Sequence, residues 1–517
     1  MVKKFRISGS LGLATILILL FISYQLREQD FRSDIGARNL DATFHVLLTL
    51  TAYSENPVKE HYYLPIISLG SDRDKNIPWG ATLSTGDGNY IYTSFPPLGF
   101  LAPYIWLNTF NLAPTVPNLA NFNFVLGGLT ALILFFLLKN MLSFYGANEW
   151  VGIGGSLSGA SISVFSHEVL QSTGIIYWHQ SLFQLFMAAM LLAIFEYGSK
   201  RKIIPDTYIN FAIILLALVL PLTEWTGYLF NANLIFCLFI FRKYLSENCQ
   251  RLAFWVTAAT IAAGLFTVLH FGLAVGYTQL FHNFFIRGMQ RSAANSNALD
   301  LLKAYLLSYG AFIAAILTSL LLIYQNKKKI PLGRMKILIF ILTCSAVPLI
   351  ENIILMNHAV TYSFDRLKFI FPAAIILAFG FVMANRLQRV MLSIVLILAC
   401  ISGYVDYREG IEKLSGWSAV DLSNRKFKDN ISTQVNLDCS IIATNLDVRG
   451  YANLLFHHGI FENVTKDEIK VSLKNVPACA SIYLEGKWYA PPYLFFPDYD
   501  RATITRTNGQ ETIVLAK

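Results

Sequence analysis

The run Tyr92-Thr93-Ser94-Phe95-Pro96-Pro97-Leu98-Gly99 closes a polar segment, 24–111, that interrupts an otherwise apolar chain, and its reading decides the fold. Upstream, a single apolar stretch, 11–24, delivers the chain into that segment, which carries Asp30, Asp34, Asp41, His45 and His61. Downstream, 98–111 is too short to cross a bilayer and contains Pro103, so it is expected to lie in the outer interface. Beyond it, long apolar segments follow one another with short connections. A large acidic and aromatic loop directly after a first span points to chemistry at a membrane surface rather than to a plain anchor.

Composition supports lipid as the main solvent. The chain has 517 residues, 55% hydrophobic and 14% charged, with a mean hydropathy of +0.49. Soluble domains carry about 25% charged residues. The 39 Phe and 25 Tyr suit membrane cores and interfaces. A net charge of +9 raises nucleic acid as a partner, but the Lys and Arg sit largely in short loops between apolar runs, so no nucleic acid is expected. Met1-Val2-Lys3-Lys4-Phe5-Arg6 opens the chain, and no small-x-small cleavage site follows Leu20, so the first span is expected to be retained.

Eleven spans are expected, near 8–24, 121–139, 149–166, 179–197, 208–222, 226–241, 252–275, 304–324, 335–354, 366–384 and 389–405. With the N-terminus cytoplasmic, the inner loops hold 14 basic residues, among them Lys139, Lys200 to Lys202, Lys327 to Lys329 and Arg386. The short outer loops hold five: Arg287, Arg291, Lys303, Arg366 and Lys368. This agrees with the rule that basic loops stay inside. Odd parity then places the C-terminus outside. Residues 1–405 read as the polytopic domain, with its outer loop at 25–120. Residues 406–517 read as a small soluble α/β domain outside, with alternating strands at 440–444, 481–484 and 503–505 and a helix at 448–458. Cys439 and Cys479 each precede a strand there, so a disulfide is plausible. The fold class is therefore mainly α, polytopic, with a C-terminal α/β appendage. An integral inner-membrane location in a bacterial cell follows as the expectation.

In this topology the polar residues near membrane depth gather on the outer side. Asp34, Asp41 and His45 fall at spacings of seven and four on an expected helix, 34–53, and so share a face. Such a cluster can bind a hydroxyl and take its proton; on a plain amphipathic helix it would simply face water. His167 and Glu168 end the third span, and Tyr177-Trp178-His179-Gln180 opens the fourth. Charged groups at that depth are costly without a role, which favours function over the alternative of paired structural groups. Glu224 caps two short spans, Glu351 and His358 mark the ninth, and Asp365, Arg366 and Lys368 open the tenth. Arg366, Lys368 and Arg287 supply cations for an anionic headgroup, unless Asp365 and Arg366 are merely a local ion pair. No phosphate-binding glycine loop, no H-E-x-x-H and no C-x-x-C occurs, which disfavours an ATP-driven pump and a zinc site. The absence of an internal repeat weighs against transporters built from two matching halves.

The order of these features resembles the GT-C superfamily of integral-membrane glycosyltransferases, such as protein mannosyltransferases and aminoarabinose transferases. Those proteins carry one span, a large outer loop with an acidic motif, and two interfacial helices, the second often entered by a Tyr-x-x-x-Pro-Pro-Leu-like string. Here Tyr92, Pro96, Pro97 and Leu98 match that string. The resemblance implies sugar transfer from a polyprenyl-phosphate donor to a glycan, lipid or protein acceptor, with inversion and a loop carboxylate as base. It would be Asp41, Asp34 or Asp30, because the adjacent acidic pair of some members is missing. It further implies that His167 and Glu168 form a second polar position and that Arg366 contacts the donor phosphate. His61, His179, Glu224, His358, Lys368 and Arg287 complete the expected substrate-binding set. No cofactor is required, although a divalent cation could sit near the carboxylates. A transporter or lipid flippase, and a membrane scaffold displaying the C-terminal domain, are the rival readings.

Overall fold

The computed structural model describes residues 2–32, 39–69, 74–75, 77, 82–199, 205–245, 248–292, 296–412, 415–433, 440–443, 449–457, 460–461, 481–486, 501–507 and 510–516. They form two compact units. The first comprises 1–39, 116–267 and 288–412; the second comprises 40–115, 268–287 and 413–517.

The first unit is helical. Among the described residues of the whole chain, eight helices are long and apolar enough to cross a membrane: Gly9–Phe31, Val116–Phe144, His179–Ser199, Asp206–Thr223, Cys249–Val275, Leu332–Ile354, Ser363–Met383 and Arg386–Ile411. All eleven expected spans fall on helices, but three belong to shorter or broken elements. These are Glu149–Phe165, Thr226–Ile240, and the pair Ala298–Tyr309 and Phe312–Asn326, bent by 97°. Gly310, at φ +43°, occupies the break, a conformation that costs glycine little. Large apolar side chains such as Phe211, Phe254 and Leu387 are exposed along these helices, which suits lipid. The chain is an integral membrane protein.

Small residues let the helices approach. A Cβ on Gly159 would lie 2.5 Å from the Ala374 carbonyl oxygen, and one on Gly155 would lie 3.0 Å from that of Ala378. Gly155 and Gly159 are four apart, so one glycine stripe seats Glu149–Phe165 against Ile370–Met383 at backbone contact. Successive helices alternate in direction. The C-terminal ends of Glu149–Phe165, Asp206–Thr223 and Leu332–Ile354 therefore share one end of the unit with the N-terminal ends of His179–Ser199 and Ser363–Met383. Lys139, Lys327, Lys328, Arg334, Arg386 and Arg389 fall at the opposite end.

The second unit combines helices with two sheets. Leu40–Glu55 packs on Leu98–Thr109, beside the hairpin Thr82–Ser84 and Tyr90–Tyr92. A five-stranded sheet runs in the order Ile460–Phe461, Ser440–Ala443, Ser481–Gly486, Gln510–Ala516, Arg501–Thr507. The first three strands are parallel and the last two pair antiparallel. Helix Arg449–Phe456 lies between the first two strands in sequence, where a helix was expected. Phe44 and Tyr451, 4.8 Å apart, join the loop helix to that C-terminal helix. The loop and the C-terminal segment thus share one compact unit, and helix Arg386–Glu412 runs through residue 406. Asp34, Cys439 and Cys479 lie outside the described residues.

Candidate active site

At the acidic end of the first unit, a buried network joins most of the expected residues. Arg366, 5% exposed, donates from Nε to Ser308 Oγ at 2.7 Å and from Nη1 to the Ala359 carbonyl at 2.5 Å. Its Nη2 lies 3.4 Å from Glu168 Oε2. Glu168 also accepts from Ser172 and Ser308, both at 2.7 Å. Lys368, 1% exposed, contacts Glu351 Oε2 at 2.7 Å and Glu224 Oε1 at 3.3 Å. Glu351 accepts from Thr226 as well. Asp365 pairs with His358 and accepts from Gln180 Nε2 at 2.5 Å. That same Gln180 nitrogen donates to Glu224 at 2.9 Å and so links the two halves.

The local pair between Asp365 and Arg366, the alternative to a headgroup role, is not formed; Asp365 faces His358, and Arg366 faces Glu168. Neighbours in a tight helical turn point to different sides, so adjacency in sequence does not make a pair. Each carboxylate in the network has a cation or an imidazole against it, and Arg366 and Lys368 are both committed to carboxylates. Their expected role as ligands of a donor phosphate is therefore not what this geometry favours. His179 is buried against Trp178, with ring centroids 4.5 Å apart. His167 shares Nδ1 with the Leu307 carbonyl at 3.2 Å.

Asp30 is also committed. It is buried, accepts from Tyr407 at 2.8 Å and forms an ion pair with Arg408 at 2.9 Å. Arg27, one turn before it, is buried and donates to the Leu170 carbonyl at 2.9 Å. Sequence reasoning missed Arg27, Tyr407, Arg408, Ser308 and the linking role of Gln180. Arg27 stands beyond the apolar run 11–24, beside Gln25, Glu28 and Asp30, so its sequence neighbours carry no signal of its burial.

The second unit assembles a different constellation. Asp41 and His45 stand one turn apart on Leu40–Glu55, whose first turn carries Asp41. Asp41 is exposed at its surface, yet the protein packed beside it raises its carboxyl above the ordinary value, against opposing hydrogen bonds from backbone amides. Burial pushes the His45 ring down to about 3, and the Arg287 charge acts in the same direction. His45 therefore stays neutral at ordinary pH. Its ring lies 4.3 Å from that of Tyr92, which stacks on Phe95 at 6.3 Å. Pro97 immediately precedes helix Leu98–Thr109, and both Pro96 and Pro97 are buried. The octapeptide thus builds an aromatic wall around His45. Arg287 donates from Nε to Ser94 Oγ at 3.1 Å, which brings a half-buried cation to the same string. His61 is buried and stacks with Tyr53, and burial lowers its pKa. No three His, Cys, Asp or Glu side chains converge as metal ligands among the described residues.

The fold is that of the GT-C integral-membrane glycosyltransferases. ArnT from Cupriavidus metallidurans, solved bound to undecaprenyl phosphate, is similar with a TM-score of 0.54 and 11% identity, over 98% of this chain and 97% of that one. The Archaeoglobus fulgidus oligosaccharyltransferase in its apo form is similar at 0.52 and 10% identity, over 92% of this chain and 69% of that one. AglB from Archaeoglobus fulgidus, in complex with an inhibitory peptide and a dolichol-phosphate, gives 0.52 and 11%, over 91% and 69%. No family model matches the chain, and no curated protein matches it by sequence.

Proposed function

We propose that this protein is a glycosyltransferase that moves a sugar from a polyprenyl-phosphate donor to a glycan, lipid or protein acceptor at the outer face of the membrane. The observation that carries the reading is the constellation of Asp41, neutral His45, Tyr92 and cationic Arg287 within one unit of a GT-C fold. Asp41 takes the proton of an acceptor hydroxyl as its oxygen attacks the anomeric carbon. The bond from that carbon to the phosphate oxygen breaks, and the electron pair leaves with the lipid phosphate, whose charge Arg287 meets. Attack in line with the leaving group inverts the anomeric centre. Neutral His45 orients the carboxylate or the hydroxyl without competing for the proton.

The committed carboxylates and cations of the first unit, Glu168, Glu224, Glu351, Asp365, Arg366 and Lys368, act in this reading as a fixed scaffold. Asp30 is set aside as base because Tyr407 and Arg408 hold it; Asp34 stays as the second candidate. The reading keeps eleven spans, a cytoplasmic N-terminus and an extracytoplasmic 406–517 segment in a bacterial inner membrane. The test is sugar transfer in purified membranes with polyprenyl-phosphate donors, comparing wild type with Asp41→Asn, Asp34→Asn and Arg287→Ala. Loss of a general base costs about 10²–10⁴ in rate. Unchanged transfer by Asp41→Asn would remove Asp41 from the mechanism, and solute flux without transfer would favour a transporter.

A further inference from the structure

A polar groove lies in the second unit, lined by the ends of Leu40–Glu55 and Leu98–Thr109 and by 111–114. It holds about 450 Å³, inside the ~300–1,000 Å³ range of small-molecule sites. Its polar edge comes from Tyr104 and Asn108, four apart on one face of the helix, and from Asn111 just beyond the helix end. Asn111 has φ +52° and its amide bonds back to the Asn108 carbonyl, so the turn that ends the helix carries it into the groove lining. Asn tolerates this conformation better than most residues. Tyr53 forms the rigid wall: its hydroxyl donates to the Leu64 carbonyl at 2.6 Å, and its ring meets Tyr104 edge-on at 5.4 Å. Leu50 and Leu107 supply apolar floor.

We infer that this groove binds a neutral carbohydrate, apart from the reaction centre proposed above and independently of that proposal. Two features select the ligand class. Among the described residues the lining contains no charged side chain, so an anionic phosphate or a cation would be desolvated without a counter-charge. The side-chain amides of Asn108 and Asn111 and the Tyr104 hydroxyl form no hydrogen bond within the described protein, so a hydrocarbon tail would strand them. A pyranose satisfies both demands. Its hydroxyls donate and accept, as amides do, and its C–H face packs on an aromatic ring.

The test uses the full-length protein in detergent and a panel of neutral oligosaccharides: maltotetraose, cellotetraose, mannotetraose and chitotetraose. Saturation-transfer NMR and calorimetry read binding to wild type, Asn108→Ala, Asn111→Ala and Tyr104→Leu. At least one sugar binds, and each amide removed weakens it about fivefold, the loss expected for one hydrogen bond. Asn108 and Asn111 are exposed, so their variants should keep the wild-type melting temperature and remain informative if Tyr104→Leu unfolds. A second arm presents the same glycans on a lipid anchor in nanodiscs. Binding there alone supports the site and assigns its source to a lipid-carried glycan. The inference is overturned if no glycan binds in either arm, if the amide variants bind like wild type, or if a neutral peptide binds instead.

Discussion

Lys368 is the residue whose removal should be most costly, because two carboxylates converge on one ammonium. Its Nζ lies 2.7 Å from Glu351 Oε2 and 3.3 Å from Glu224 Oε1, with Lys368 and Glu224 each 1% exposed. In Lys368→Met the two oxygens lose their common counter-charge while staying within about 6 Å of each other. At an effective dielectric constant of about 20, two unit charges at that separation repel by about 3 kcal/mol, a ceiling that uptake of a proton by one carboxyl lowers. This agrees with the ~3–5 kcal/mol that breaking one side of a buried ion pair usually costs. Glu351→Gln, by contrast, leaves Lys368 paired with Glu224 and should cost much less. The decisive variant is the double, Lys368→Met with Glu351→Gln, which removes one of the two stranded charges and should be more stable than Lys368→Met alone. Thermal unfolding in detergent, followed by intrinsic fluorescence, gives the ranking. If Lys368→Met melts with wild type, or the double variant melts below the single one, the two-carboxylate clamp is not what holds this end of the unit together.

Other outcomes can be checked separately. Because the Asp41 carboxyl is raised and the base must be ionised, transfer should fall with pH through a value above the ordinary aspartate range; an acid limb at or below about 4 would contradict this. The His45 ring is pushed to about 3 when folded against about 6.5 when unfolded, so below pH 6.5 the unfolded chain binds the extra proton. The resulting stability is intact above pH 6.5 and is lost towards pH 3, at no more than about 1.4 kcal/mol per pH unit, and His45→Phe should flatten the melting profile over that window. Gly159→Leu should overpack the helix contact and destabilise by about 1–3 kcal/mol or more, whereas Gly333→Ala, with nothing within 4 Å of its added carbon, should melt with wild type. A cysteine at Lys328 should react with impermeant reagent only from the cytoplasmic side; labelling from outside would invert the topology.

The helices were legible because apolar runs of span length admit few alternatives; the loop helix, expected over 34–53, is observed at Leu40–Glu55, with Asn39 at φ +66° just before it. Pairings were less so. Asp365 sits beside Arg366 in sequence but bonds to His358 and Gln180, a choice made by helix packing rather than by adjacency. Ser308 carries no sign of its position, since one serine near a helix end is common, yet it bridges Arg366 and Glu168. The association of 268–287 with the loop unit was also hidden, because helix Cys249–Val275 continues without a break through residue 268. Arg287 therefore read as one loop cation among five, although it bonds to Ser94 in the octapeptide.

The short helices have a consequence for the bilayer itself. Thr226–Ile240 and Phe312–Asn326 have 15 residues each, a rise of about 22 Å against a hydrocarbon thickness of about 30 Å. Beside them, acyl chains must compress or the interface must dip to meet the helix ends, and each ångström of mismatch costs a fraction of a kcal/mol. A helix of this length that faces lipid thins the bilayer beside it, so higher stability is expected in lipids with shorter chains. Wherever a long, lipid-linked molecule diffuses past such a helix, its headgroup stands deeper than it would in the unperturbed bilayer.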